Sequence, residues 1–155
     1  MRLLSICFAL VLFFLSPLSG QAQQKAGAGI RINHIALYVK DLKASADFYT
    51  GVLGLDTIPE PFHDGKHVWL AIGDYAHLHL IAGRSQEPVP GKNSHLCFSS
   101  SRLDAMIKTL EARKIHYEDW PGKANTVTRR VDGIRQIYIR DPDGYWVEVN
   151  DDFNQ

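Results

Sequence analysis

From Ile32 to Val39 apolar and other residues alternate, which sets Ile35, Leu37 and Val39 on one face of a predicted strand and His34, Ala36 and Tyr38 on the other. Asp41 is placed to cap a helix whose stripe, Leu42, Ala46, Tyr49 and Leu53, ends at Gly54. Three strands are expected next, over residues 56–61, 66–72 and 75–82, with Asp64-Gly65 and Gly73-Asp74 as the hairpin turns between them. The order then repeats. Residues 93–99 read as a strand carrying His95, Ser101 and Asp104 form a capping-box pattern, and Leu103, Ile107 and Leu110 make a second helical stripe. Residues 115–120 predict a strand, residues 122–130 a polar loop, and residues 134–140 and 145–150 a hairpin. Asp141-Pro142-Asp143-Gly144 joins that hairpin, with proline and glycine where a type I turn prefers them. Both halves therefore read βαβββ, an α+β arrangement of two tandem modules, 32–84 and 94–151. One helix covers only one face of a curved sheet, so the two modules are expected to pack edge to edge and enclose a cleft between their uncovered faces.

The N-terminal segment breaks this pattern. Arg2, an apolar run from Leu3 to Leu15, Pro17 and then small and polar residues match a secretory signal peptide, residues 1–22, cut before Gln23. The run is short for a membrane span, which predicts no stable membrane association after cleavage and an exported protein, periplasmic or secreted. Residues 23–31, rich in Gly, Ala and Gln, read as a linker ahead of a domain over 32–151. At 155 residues and 45% apolar, the chain is long enough for one ordinary core. Cleavage would remove Cys7 and leave Cys97 without an intrachain disulfide partner, so the fold must rest on packing. With 17 basic and 17 acidic residues there is no basic field for nucleic acid.

The element order, with "HIALYVKDLKASADFYTGVLGL" opening the first half and "IYIRDPDGYWVEV" closing the second, resembles the vicinal oxygen chelate superfamily. That superfamily includes glyoxalase I, methylmalonyl-CoA epimerase, fosfomycin-resistance transferases and extradiol dioxygenases. The resemblance covers residues 32–151 and implies a curved mixed sheet around a metal-binding cleft, and in many members a homodimer. In such enzymes four strand positions, two per module, supply metal ligands, and the ion keeps open sites for a substrate that chelates through adjacent oxygens. Carried onto this chain, the resemblance implies His34, His79, His95 and Glu148 as the ligand set. The residues themselves agree with it. In "AHLHLIA" His77 and His79 oppose Leu78 and Leu80, and in "YWVEV" Glu148 and Trp146 oppose Val147 and Val149. A strand carboxylate between apolar neighbours calls for a cation or donors, and three imidazoles with one carboxylate suit Zn, Ni, Co, Mn or Fe better than Ca or Mg. His77, one pleat away, is an alternative to His79 or a residue supporting it.

Glyoxalase I usually carries glutamate where this chain has His79, so the resemblance leaves Glu148 as the sole carboxylate ligand and the candidate catalytic proton carrier. Tyr38 and Trp146 fall on the faces of His34 and Glu148 and are candidates to line the substrate pocket. Arg129, Arg130 and Arg135 precede the last strands, either as a solvated loop or as a lip for an anionic substrate. His63 and His67 flank the Asp64-Gly65 turn at the expected cleft mouth, and His116 reads as surface. Cys97 shares a face with His95 but lacks a cation or helix terminus to activate it. The function so implied is a metal-dependent glyoxalase-like enzyme, of lyase, isomerase or transferase type, acting on a small molecule. An Fe(II) extradiol-type dioxygenase and a non-catalytic, bleomycin-type binding protein are the alternatives. Whether His34 and His95 would meet within one chain or across two is left open by the sequence.

Overall fold

The computed structural model describes residues 29–86 and 91–153. The expected signal peptide, residues 1–22, and linker residues 23–28 lie outside the described residues. The unit that begins at Ile32 carries every element found among the described residues.

The first half forms β1 (His34–Val39), α1 (Leu42–Gly51), β2 (Thr57–Ile58), β3 (His67–Ile72) and β4 (Ala76–Ala82). Its sheet runs β1-β4-β3-β2, with β1 parallel to β4 and the other neighbours antiparallel. Asp41 caps α1 as expected, its side chain accepting from the Ala44 N–H at 3.0 Å. The helix ends at Gly51, three residues earlier than the apolar stripe suggested, and Gly54 takes φ +74° as the chain turns and Leu55 N–H bonds the Tyr49 carbonyl. The strand expected over 56–61 shrinks to two residues, because Pro59 and Pro61 have no N–H to give to the ladder.

The second half forms β5 (Leu96–Ser99), α2 (Leu103–Ala112), β6 (Tyr117–Glu118), β7 (Thr128–Arg129), β8 (Arg135–Arg140) and β9 (Trp146–Asn150). Its sheet runs β5-β9-β8-β6, with β5 parallel to β9, which repeats the topology of the first. Three expectations change here. His95 lies before β5, directly after a turn closed by Ser94 N–H and the Gly91 carbonyl. The N-cap of α2 is Arg102 without a side-chain cap, and Ser100 Oγ accepts from the Arg102 N–H in place of the Ser101 capping box. The polar loop contains β7, which pairs Thr128 with Gln136 and Arg129 with Arg135 across a turn whose residues carry no periodic signal.

One core serves both halves. Leu37, Val39, Tyr49, Leu70, Leu78 and Leu80 join Leu103, Leu110, Ile137, Ile139, Val147 and Val149 in a single buried cluster. These are the in-facing positions of the alternation, so the opposite sheet faces present His34, His77 and His79 in one half and Tyr138 and Glu148 in the other. The halves are tied by the β8–β9 turn, which closes with Gly144 N–H on the Asp141 carbonyl. Asp143 accepts from Lys40 N–H at 2.8 Å and Ser45 Oγ at 2.9 Å, and Asp141 accepts from Tyr49 Oη at 2.9 Å. Arg84 faces Asp143 at 3.8 Å and its guanidinium lies over the Tyr145 ring. Burial pushes the Asp141 carboxyl up, against the hydrogen bonds from Tyr49, Tyr145 and Asp143 that favour its charge. A turn read as local punctuation thus sets the placement of the modules. Their sheets stay separate within the chain, and β1 and β5 each pair with a single strand of their own half.

Candidate functional site

On the first sheet the open face is a stack of rings. The ladder sets Trp69 opposite His79 and His34 opposite His77. The His79 imidazole lies between His34, at 4.2 Å and 8° from parallel, and Trp69, at 4.0 Å and 1°. His77 stands 6.0 Å from His79 on the same face, and Phe62 packs on His67 beyond it. Burial, then the neighbouring imidazoles, lower the pKa of His79 and keep its ring neutral. Its Nε2 is buried and has no hydrogen-bond partner. Buried polar atoms are nearly always satisfied, so this nitrogen is aimed at something other than protein. His34 is exposed, and its Nδ1 lies 2.8 Å from Asn33 Oδ1, which leaves Nε2 to act as the acceptor.

On the second sheet Glu148 is the centre, and it is 6% exposed. Tyr138, opposite it on β8, donates its hydroxyl to Oε2 and receives Gln136 Nε2 at 2.6 Å. Asn150 Nδ2 donates to Oε1 at 3.0 Å and the Cys97 thiol donates to the same oxygen at 3.3 Å. Burial pushes the Glu148 carboxyl up, but these donors and the nearby His95 outweigh it and hold it below the usual glutamate range. The carboxylate is therefore an anion at neutral pH. Burial around the sulfur, then the Glu148 carboxylate, push the Cys97 thiol up to about 12, which favours the protonated thiol that donates to Glu148. Gln136, Tyr138 and Asn150 are functional neighbours that the sequence reading passed over. Their signal was present, since all three share the alternation phase of Glu148.

His95 Nε2 stands 3.2 Å from Glu148 Oε2 and its Nδ1 lies 2.6 Å from the Lys92 carbonyl. A carbonyl can only accept, so Nδ1 carries a hydrogen and Nε2 is the nitrogen turned to the carboxylate, where a proton or a cation has to lie between the two. The donor set fits a transition ion: an unpartnered buried imidazole nitrogen on one sheet, and an imidazole nitrogen beside an ionised carboxylate on the other. The four implied ligands come as two pairs rather than one cluster. Among the described residues no three His, Cys, Asp or Glu side chains gather closely enough to hold an ion.

The remaining candidates separate by position. Tyr38 shares the His34 face, is half exposed and rests its hydroxyl against the Gly83 backbone. The Trp146 ring is covered by Lys92 Nζ at 4.8 Å and the Arg140 guanidinium at 4.2 Å. Arg129 donates to the Gly133 carbonyl of its own hairpin. Arg130 pairs with Asp132 and interacts electrostatically with Glu148, Cys97 and Tyr138, so it is the arginine of the three that bears on the site. His63 lies near Glu60 and His116 near Glu118, both exposed.

Arg135 alternates to the helix face of β8, where it binds Asp104 at 2.8 Å and Asp151 at 2.7 Å and ties α2 to the sheet. Its guanidinium holds Asp104 below the ordinary aspartate range. For Asp151 burial pushes upward, but the Arg135 N–H and guanidinium outweigh it. Carboxyls depressed in the folded state contribute stability above their unfolded value of 3.8 and lose it as pH falls. Arg135→Met should therefore lower the melting temperature by a margin that is full above about pH 5 and closes below pH 3.8. A margin constant down to pH 2 in parallel thermal melts, roughly two units below that value, would refute this role.

A family model described as the Glyoxalase/Bleomycin resistance protein/Dioxygenase superfamily matches residues 31–149. The Bacillus subtilis protein YwbC is 31% identical over 124 residues, covering 76% of this chain and 94% of that one. Among solved structures, a lactoylglutathione lyase from Agrobacterium tumefaciens aligns with TM-score 0.58 and 29% identity, over 77% of this chain and 92% of that one. The oxidase ChaP-H2 aligns with TM-score 0.67 and 25% identity, over 79% and 93%.

Proposed function

The chain belongs to the Glyoxalase/Bleomycin resistance protein/Dioxygenase superfamily, and from that premise we propose that it is a divalent-transition-metal enzyme of glyoxalase I type. Its reaction is a lyase or isomerase step on a small molecule that presents two adjacent oxygens. One observation carries the reading: the first sheet offers a buried imidazole nitrogen without a hydrogen-bond partner, His79 Nε2, and the second sets His95 Nε2 beside the ionised Glu148. The two pairs lie on separate sheets, and no three His, Cys, Asp or Glu side chains among the described residues gather to hold an ion. The complete site is accordingly assigned across a homodimer, with His34 and His79 from one chain and His95 and Glu148 from its partner, through the edges β1 and β5. The signal-peptide pattern of residues 1–22 supports an exported enzyme, periplasmic or secreted, for which a substrate that depends on cytosolic glutathione is disfavoured.

When bound, the ion supplies a Lewis acid that polarises the substrate oxygens. The residues supply the rest. Tyr138 and Asn150 keep Glu148 ionised and fixed, so it enters the reaction as an anion and takes a proton only as those donors yield. The Trp69–His79–His34 stack closes one wall, and Arg130 sets a positive charge by the other. A second reading, an Fe(II) dioxygenase using two histidines and Glu148, is favoured by the likeness to the oxidase ChaP-H2.

Elemental analysis of the purified protein tests both. We expect about one transition ion per chain, with Ni, Co or Zn supporting the isomerase and Fe the dioxygenase. No ion after reconstitution would overturn both and leave a ligand-binding module.

A further inference from the structure

Lys92 is partly buried beside the second half-site although its ammonium touches none of the implied ligands. Its side chain is 15% exposed. The ammonium has three N–H donors and meets three acceptors: Glu118 Oε1, the Asp119 carbonyl at 2.9 Å and the Trp120 carbonyl at 3.1 Å. It also lies 5.3 Å from the centre of the Tyr138 ring and 4.8 Å from that of Trp146. All the side-chain anchors therefore belong to the end of β6, the connection that follows it and the β8–β9 hairpin. The backbone of the same residue does something different: its carbonyl receives His95 Nδ1.

We propose that Lys92 is the positioning residue of the site, clamping the turn before β5 so that its carbonyl fixes His95 in the Nδ1–H tautomer with Nε2 turned to Glu148. The need for such a clamp follows from the fold. His95 precedes β5, and the ladder of β5 begins only at Leu96, so the strand does not itself hold the imidazole or the carbonyl that orients it. Gly91 within that turn adds no side chain, and the backbone bond from Ser94 N–H to the Gly91 carbonyl stays inside the turn. Lys92 is the residue of this turn whose side chain reaches β6, at the far edge of the sheet from β5. Its ammonium also lies over the Tyr138 ring whose hydroxyl donates to Glu148, so the same clamp steadies both members of the pair. Partners that orient a ligating imidazole typically contribute roughly 10- to 100-fold in metal affinity.

The inference rests on the reading of His95 as a ligand, and its test separates the two. Lys92→Met keeps an unbranched aliphatic side chain and removes the ammonium. In the metal-free protein, long-range proton–nitrogen NMR of the histidine rings, with His95 assigned by its absence in His95→Gln, should show the Nδ1–H tautomer in the wild type and a mixture in Lys92→Met. Zinc affinity, measured against a competing chelator, should fall by roughly 10- to 100-fold. An unchanged His95 tautomer in a folded Lys92→Met would overturn the clamp, because a merely structural lysine lowers the melting temperature without altering the ring. If Lys92→Met does not fold, Glu118→Gln, which weakens one of the three anchors, is read by the same two measurements. A wild type that takes up no zinc would defeat the metal reading, while the tautomer comparison would still decide the role of Lys92.

Discussion

Glu148→Gln should fold like the wild type and take up no transition metal. The amide keeps the length and shape of the side chain, so Asn150 and Cys97 can still donate to its carbonyl oxygen in place of Oε1. Its NH2 then occupies the place of Oε2, facing His95 Nε2 at 3.2 Å, and the Tyr138 hydroxyl, which donates to Oε2 in the wild type, has to turn and accept from the amide instead. The variant loses the anionic ligand and satisfies the imidazole at the same time, so the fall in metal affinity should exceed the roughly 100-fold typical of losing an outer partner, with activity falling alongside. Glu148→Ala is the poorer test. It would leave the donors of Tyr138 and Asn150 buried without an acceptor, at about 1–3 kcal/mol each, and would confuse lost stability with a lost site. Elemental analysis and a thermal melt on Glu148→Gln decide the matter, and a variant that loads metal like the wild type would remove Glu148 from the ligand set.

Mixing two inactive variants should restore activity. His79→Gln damages the half-site on the first sheet and Glu148→Gln the half-site on the second. In a dimer whose sites are shared, a mixed pair has one site with both lesions and one with none. With equal amounts and free exchange, about half the dimers are mixed and each has one good site of two, so activity should recover to about a quarter of the wild type. A site built within one chain gives a different result, since every site in every dimer would carry one lesion and mixing would restore nothing. The separation of the two ligand pairs onto unconnected sheets favours recovery. Exchange is followed by mixing differently tagged copies, so failure to exchange is not mistaken for failure to complement.

The periods of the backbone determined much of this protein on their own. Alternation at two residues placed His34, His77, His79 and Glu148 on the faces they occupy, since successive strand side chains point opposite ways whatever the partner. Asp41 and the helical stripe located α1, and the Asp-Pro-Asp-Gly turn closed as its residues require. What only the tertiary structure decided lies in contacts between residues far apart in the chain. Asp141 and Asp143 read as turn residues until Tyr49, Ser45 and Lys40 are seen to meet them. Arg135 read as a neighbour of Arg129 and Arg130, but β8 turns it to the helix face, where Asp104 and Asp151 hold it. Lys92 and its three acceptors, the donors around Glu148 and the separation of the two ligand pairs have no local signature either. Periodicity is a property of neighbouring residues, whereas a hydrogen-bond network is made by whichever strands the core brings together, and no window along the chain contains both sides of it.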